Sequence, residues 1–112
     1  MDVPISFDDT FSSEYILKCP KCGESNLHQE RVEALFRDEE SGPGTLTVSD
    51  RTSGMSTVLR VEAKNIDFRR DAVYIHFTCE HCTSRPILEI RQDRGSTWFT
   101  WLTPEERAKR VG

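Results

Sequence analysis

Long apolar runs are missing from this chain, and so is any excess of positive charge. No segment approaches the roughly 20 consecutive apolar residues that a membrane span requires, so no membrane contact is expected. The segment from Met1 to Thr10 does not combine a basic stretch, an apolar core and a small-residue cleavage site. Secretion is therefore unsupported, and the chain reads as soluble, intracellular and cytoplasmic. The formal charge is −4, from 15 Lys and Arg against 19 Asp and Glu. That excludes a bulk electrostatic binder of nucleic acid, whose affinity rests on many phosphate contacts. The balance is uneven: residues 1–40 hold ten acids and four bases, whereas residues 41–112 hold nine acids and eleven bases. A nucleic-acid surface would have to be a local patch in the later part.

Catalytic groupings are absent too. His28 and His76 read as ordinary strand residues and His81 as solvent-facing, and no serine, cysteine or carboxylate motif accompanies them. No catalytic residue and no enzyme activity are expected, because general acid–base work needs partners at hydrogen-bond reach.

Cysteine is scarce, and all four copies fall in two Cys-x-x-Cys knuckles, Cys19-Pro20-Lys21-Cys22 and Cys79-Glu80-His81-Cys82. Two intervening residues let a tight turn aim both sulfurs at one ion, and two such turns supply a closed tetrahedral set. Gly23 strengthens this reading, because the residue after a metal knuckle often takes a positive φ that glycine adopts without steric cost. Disulfides do not suit an intracellular chain. A redox dithiol would open a helix in a βαβ setting, which the flanking strand-like sequence does not offer. Iron shares the same coordination, but structural Zn²⁺ ligated by Cys19, Cys22, Cys79 and Cys82 is the expected cofactor. Structural zinc binds small peptides with about 10–16 kcal/mol, comparable to the whole net stability of a small domain. With 112 residues and 36% hydrophobic content, the chain fits one such domain with a modest core.

The remaining pattern is mainly β. Tyr15 to Leu17 reads as a strand feeding the first knuckle. Residues 27–37 alternate with period two, although a helix over 29–36 competes. Residues 38–44 form a turn; residues 45–49, with Leu46 and Val48 inward, and 57–63, with Leu59, Val61 and Ala63 inward, read as strands. Residues 64–71 are a polar, arginine-bearing connection. Val73, Ile75 and Phe77 share one face before the second knuckle, and residues 87–92 and 97–102 form a hairpin turning at Gly95. Thr103-Pro104-Glu105-Glu106 starts a short helix with a capping hydroxyl, a proline and a glutamate three residues on, and that helix is short enough to fray. The expected fold is a small antiparallel meander of about six short strands, clamped by a zinc-ribbon site and followed by a short C-terminal helix. Its divisions are an acidic, partly ordered arm over 1–14, the β domain over 15–102 and a helix or tail over 103–112. The plain reading of the arm as a partly ordered segment is preferred over the alternative in which Phe7 and Phe11 are partner-binding anchors one helical turn apart.

The knuckles, with Gly23-Glu24-Ser25-Asn26 after the first and Asn65-Ile66-Asp67-Phe68-Arg69-Arg70-Asp71 through Val73 to Thr78 before the second, resemble small bacterial and phage zinc-ribbon proteins. The resemblance spans roughly residues 15–101. It implies a zinc-ribbon fold and brings no established activity.

Function must then lie on surfaces. Arg69, Arg70, Arg85, Arg91 and Arg94 are the candidate basic patch, and Trp98 and Trp101, with Tyr74, are candidate stacking platforms beside it. Against this, Asp67, Asp71, Glu89 and Asp93 are placed to neutralise those arginines. Strand alternation puts Phe99 and Trp101 on one face and Trp98 on the other, so at least one large aromatic is exposed. The leading expectation is a non-catalytic binding module with a protein partner, and the final strand is a natural homodimer seam. A nucleic-acid-binding regulator using the arginine patch is the alternative.

Overall fold

The computed structural model describes residues 7–9 and 15–112. Among the described residues, eight strands run in chain order: β1 Phe7–Asp9, β2 Tyr15–Leu17, β3 Leu27–Arg37, β4 Gly44–Asp50, β5 Met55–Val61, β6 Ala72–Cys79, β7 Ile87–Asp93 and β8 Ser96–Leu102. A 3₁₀ turn, Ala63–Asn65, precedes β6, and helix α1 spans Pro104–Arg110. β1 and β2 form a separate antiparallel pair. The other six strands make one antiparallel sheet in the order β5-β4-β3-β6-β7-β8. The order departs from a simple meander. After β5 the chain returns past β4 so that β6 pairs along β3, with Leu27 opposite Cys79 and Leu35 opposite Ala72.

The competing helix over 29–36 is resolved as strand, because alternation lets β3 serve two faces at once. A bulge between Gln29 and Arg31 shifts the register once. The alternative helical spacing of Phe7 and Phe11 does not hold for the described part: Phe7 lies in a strand, opposite Leu17. Phe11, and most of the acidic arm placed at 1–14, lie outside the described residues.

The two faces of the sheet differ sharply. One is closed by α1 and the 62–71 connection. Its core comprises Leu35, Leu46, Val48, Ala72, Tyr74, Ile87 and Leu102, capped by Ile66 and Val111. The connection expected to be polar thus contributes Ile66 to the core, and Ile66 bridges to Val111. The opposite face holds a smaller cluster, Phe77, Leu88 and Trp101, bordered by Leu17, Leu27, Ile75 and Ile90. Phe77 and Trp101 meet edge to face with centroids 6.0 Å apart. Leu59 and Val61 point to the closed side as expected, since Leu59 stands opposite Leu46 and Val61 opposite Gly44. Leu59 is nevertheless exposed, because β5 is the outermost strand and α1 does not reach it.

Beneath α1 the closed face carries charge. Glu33, Tyr74 and Glu89 are cross-strand neighbours in one row, and both glutamates are buried, 2% and 0% exposed. Buried carboxylates require partners, and the helix supplies them. Arg107 donates through Nε and Nη2 to the two oxygens of Glu33, both at 2.9 Å, and lies 4.6 Å over the Tyr74 ring. Arg110, one turn later, sits 3.1 Å from Glu89, which also accepts the Tyr74 hydroxyl at 2.9 Å. The tail therefore does not fray freely. A capping box at Thr103 and Glu106 starts it, and two arginines pin its far end.

His76 adds a third donor to Glu33, 2.5 Å from Oε1. Burial alone would raise the Glu33 carboxyl, but the hydrogen bonds from His76 and Arg107 outweigh it and hold the group at about 2. A carboxylate depressed in the folded state stabilises above its ordinary value of 4.5, and that stability is lost as pH falls toward 2. Arg107→Ala leaves Glu33 buried with its main counter-charge gone, and should cost about 3–5 kcal/mol in urea unfolding at neutral pH. Glu33→Gln should flatten the acid limb of stability between pH 4.5 and 2, measured as thermal midpoint against pH; an unchanged limb would show that another carboxylate controls it.

Candidate metal centre

Both knuckles sit at the same end of the paired central strands. The first joins β2 to β3 and the second joins β6 to β7. Their backbones repeat one another. Gly23 N–H donates to the Cys19 carbonyl and Thr83 N–H to that of Cys79, each at 2.9 Å. Cys19 N–H donates to Glu24 and Cys79 N–H to Ser84, at 2.8 and 3.0 Å. A cross-link, Glu80 N–H to the Asn26 carbonyl at 3.0 Å, holds one knuckle against the other.

This geometry brings the four sulfurs, all free thiols, within 4.8 Å of one another. Cys19 and Cys82 are 3.7 Å apart, Cys22 and Cys79 3.6 Å. A tetrahedron with metal–sulfur bonds near 2.3 Å has edges of about 3.8 Å, so the cluster has the dimensions of a four-thiolate metal site. It could hold a metal ion such as zinc.

The surroundings favour thiolate on one side of the cluster. Ser84 Oγ lies 3.0 Å from Cys82 Sγ and 3.5 Å from Cys19 Sγ. The Ser84 hydroxyl and amide bring the Cys82 thiol down to about 6. Cys22 moves the other way. The Glu24 amide favours its thiolate, but burial and hydrogen bonding to the three neighbouring cysteines carry it up to about 12. Four sulfurs this close cannot all ionise without a cation between them.

Gly23 takes φ +79°, as the knuckle requires. The equivalent position in the second knuckle is Thr83 at φ 60°, a β-branched residue in the left-handed region. Sequence reading missed it, because only the glycine advertises the turn. Thr83 Oγ1 donates to the Cys82 carbonyl at 2.6 Å, a local bond that offsets part of the strain.

The candidate binding residues do not assemble into one patch. Arg69 and Arg70 both pair with Glu40. Arg91 lies on the closed face between Glu89 and Asp93, while Arg94 occupies the β7–β8 turn at φ 51° beside Gly95 at φ 78°. Arg85 is exposed next to the second knuckle. Tyr74 and Trp101 are fully buried and offer no stacking surface, because β6 and the end of β8 lie under cover. Trp98 alone of the three is accessible, at 53%. His81 is exposed as expected, and His28 contacts Glu80 at 3.0 Å. His76, by contrast, belongs to the buried ion network.

Thr83→Gly should relieve the left-handed strain and raise stability by about 0.5–1 kcal/mol, read as a higher urea midpoint with the metal bound. A lower midpoint would mean that the Oγ1 bond outweighs the strain.

Comparison with family models, curated proteins and solved structures returns no match for this chain.

Proposed function

We propose that this protein is a non-catalytic module of the zinc-ribbon kind, in which Cys19, Cys22, Cys79 and Cys82 hold one structural Zn²⁺ and the sheet they clamp binds another protein. One observation carries the second half of this reading. Away from the buried Phe77–Leu88–Trp101 cluster, the face turned from α1 is apolar and open. A single row across the sheet runs Val58, Thr47, Ala34, Val73, Ile90 and Phe99, with Phe36 in the adjacent row. Val58 is 68%, Phe36 59% and Phe99 53% exposed. Monomeric domains seldom leave a contiguous patch of this kind open unless something binds there. An apolar, weakly charged surface matches a protein interface core and not a phosphate backbone.

The charge arrangement supports the same choice over nucleic acid. Arg60 pairs with Asp38, Arg69 and Arg70 with Glu40, and Arg91 with Glu89 and Asp93. Those cations are already engaged. Zinc is favoured by the all-sulfur donor set, which closes a tetrahedron and leaves no position for a reacting water. The ion then supplies structure and no chemistry.

Native mass spectrometry should find one zinc per chain, and Cys79→Ser should unfold the protein; a metal-free, cooperatively folded sample sinks the zinc assignment. Ser84→Ala removes a hydrogen bond to two sulfurs and should weaken zinc affinity about 10-fold in chelator competition. For the binding role, protein immobilised with Phe36→Asp and Val58→Asp should retain its zinc but lose the partner that wild type captures from extract of the source cells. Equal capture by both, or tight nucleic-acid binding with a steep salt dependence, would defeat the protein-partner reading.

A further inference from the structure

The last strand of the sheet is an edge strand whose first four residues, Ser96 to Phe99, are exposed. β8 has no neighbour on its outer side among the described residues. Natural edge strands are guarded by charge, proline, a bulge or a covering element. Ser96-Thr97-Trp98-Phe99-Thr100-Trp101-Leu102 carries no charge and no proline, and its pairing with β7 runs without a register shift. The other outer strand, β5, is guarded: Arg60 projects from it onto Asp38 with contacts of 3.0 and 2.6 Å.

Exposure on β8 is two-sided. Trp98 stands opposite Arg91 on the closed side, and Phe99 stands opposite Ile90 on the open side. Both are 53% exposed. A partner lying on one face of the sheet would cover one of these aromatics and leave the other wet. Only a strand laid alongside β8 covers both.

The backbone is set up for that strand. Arg94 and Gly95, both at positive φ, make a two-residue turn, so Asp93 and Ser96 flank it as the hydrogen-bonded pair. Alternation along an antiparallel ladder then turns the N–H and C=O groups of Thr97 and Phe99 outward. These groups repeat every second residue, as a ladder to a further antiparallel strand requires.

We propose that the strand beside β8 is β8 of a second copy, paired antiparallel across a two-fold axis near Trp98 and Phe99. The match is one of charge: a neutral strand meets its own copy without like-charge repulsion, and a two-fold axis presents every outward donor with the identical acceptor. The pairing joins two six-stranded sheets through their uncharged edges. It also makes the open faces of the two copies continuous, with the two Phe99 side chains adjacent at the join. This goes beyond the proposed partner site, which lies on the face and not at the edge.

Sedimentation of zinc-loaded protein over an about 100-fold concentration range should show a monomer–dimer equilibrium. In hydrogen exchange, the amides of Thr97 and Phe99 should become protected as the dimer forms. Trp98→Glu places a carboxylate near its own copy at the axis, and beside Arg91 within the chain. It should weaken the dimer at least about 30-fold, the loss expected for a central aromatic, with zinc content and circular dichroism unchanged. Val58→Glu, on the guarded edge, should leave the dimer intact. A monomer at every concentration overturns the proposal. So does a dimer whose Thr97 and Phe99 amides exchange freely, or one that Val58→Glu dissociates and Trp98→Glu does not. Trp98 faces away from the open side, so partner capture by Trp98→Glu and dimerisation by the Phe36→Asp, Val58→Asp protein test the two readings separately.

Discussion

Four sulfur atoms confined within 4.8 Å are the constraint on which the rest of this molecule depends. Thiolates at that spacing repel one another unless a cation lies among them, so full ionisation of the cluster where the ends of β3 and β6 meet calls for a cation. Everything between Cys22 and Cys79 is threaded from that point outward and back again. The long insert contains β3, β4 and β5, returns through the 3₁₀ turn, and closes as β6 against β3. Contacts between residues so distant in sequence carry a loop-closure cost. A metal ion held by the four cysteines at the base of β3 and β6 would lower that cost where the sheet's two central strands meet.

The sheet then distributes polarity in an unusual way. Its closed face buries two carboxylates, Glu33 and Glu89, under a helix that answers them with Arg107 and Arg110. Its other face shows phenylalanine and valine to solvent. Replacing a buried ion pair by apolar residues is often neutral or stabilising, so burial of charge alone does not account for the network. What it does is fix the helix in one place. An apolar core accepts a sliding helix; two arginines aimed at two separate carboxylates do not. The polar row thus specifies the closed side, while the apolar row is left available on the other.

Much of this was legible in residues taken one segment at a time. The knuckles, the period-two strands, the Gly95 turn and the Thr103 cap are local signals, and most elements stand where their signals placed them; the strand expected over 57–63 instead spans Met55–Val61, with Ala63 in the 3₁₀ turn that follows. What sequence could not show is what depends on neighbours far along the chain. Glu33 reads as a surface residue in an alternating strand, and nothing near it announces an arginine at position 107. Tyr74 and Trp101 read as possible platforms because aromatic character is visible in sequence and cover is not. Leu59 was placed on the correct side, but its exposure follows from β5 being an edge, a property of strand order alone. Thr83 was invisible because its strain belongs to the second knuckle's backbone, and threonine gives no hint of a left-handed turn.

The two tethers of the sheet are also separated in time. A chain grows from its N-terminus, and all four cysteines have been made before Arg107 is added. Without α1, Glu33 and Glu89 lack their chief counter-charges, and the closed face has no lid. The knuckle end of the sheet is encoded within residues 19–82, whereas the helix that closes the other side comes last among the described elements. It is the docking of α1 that gives the sheet an inside and an outside.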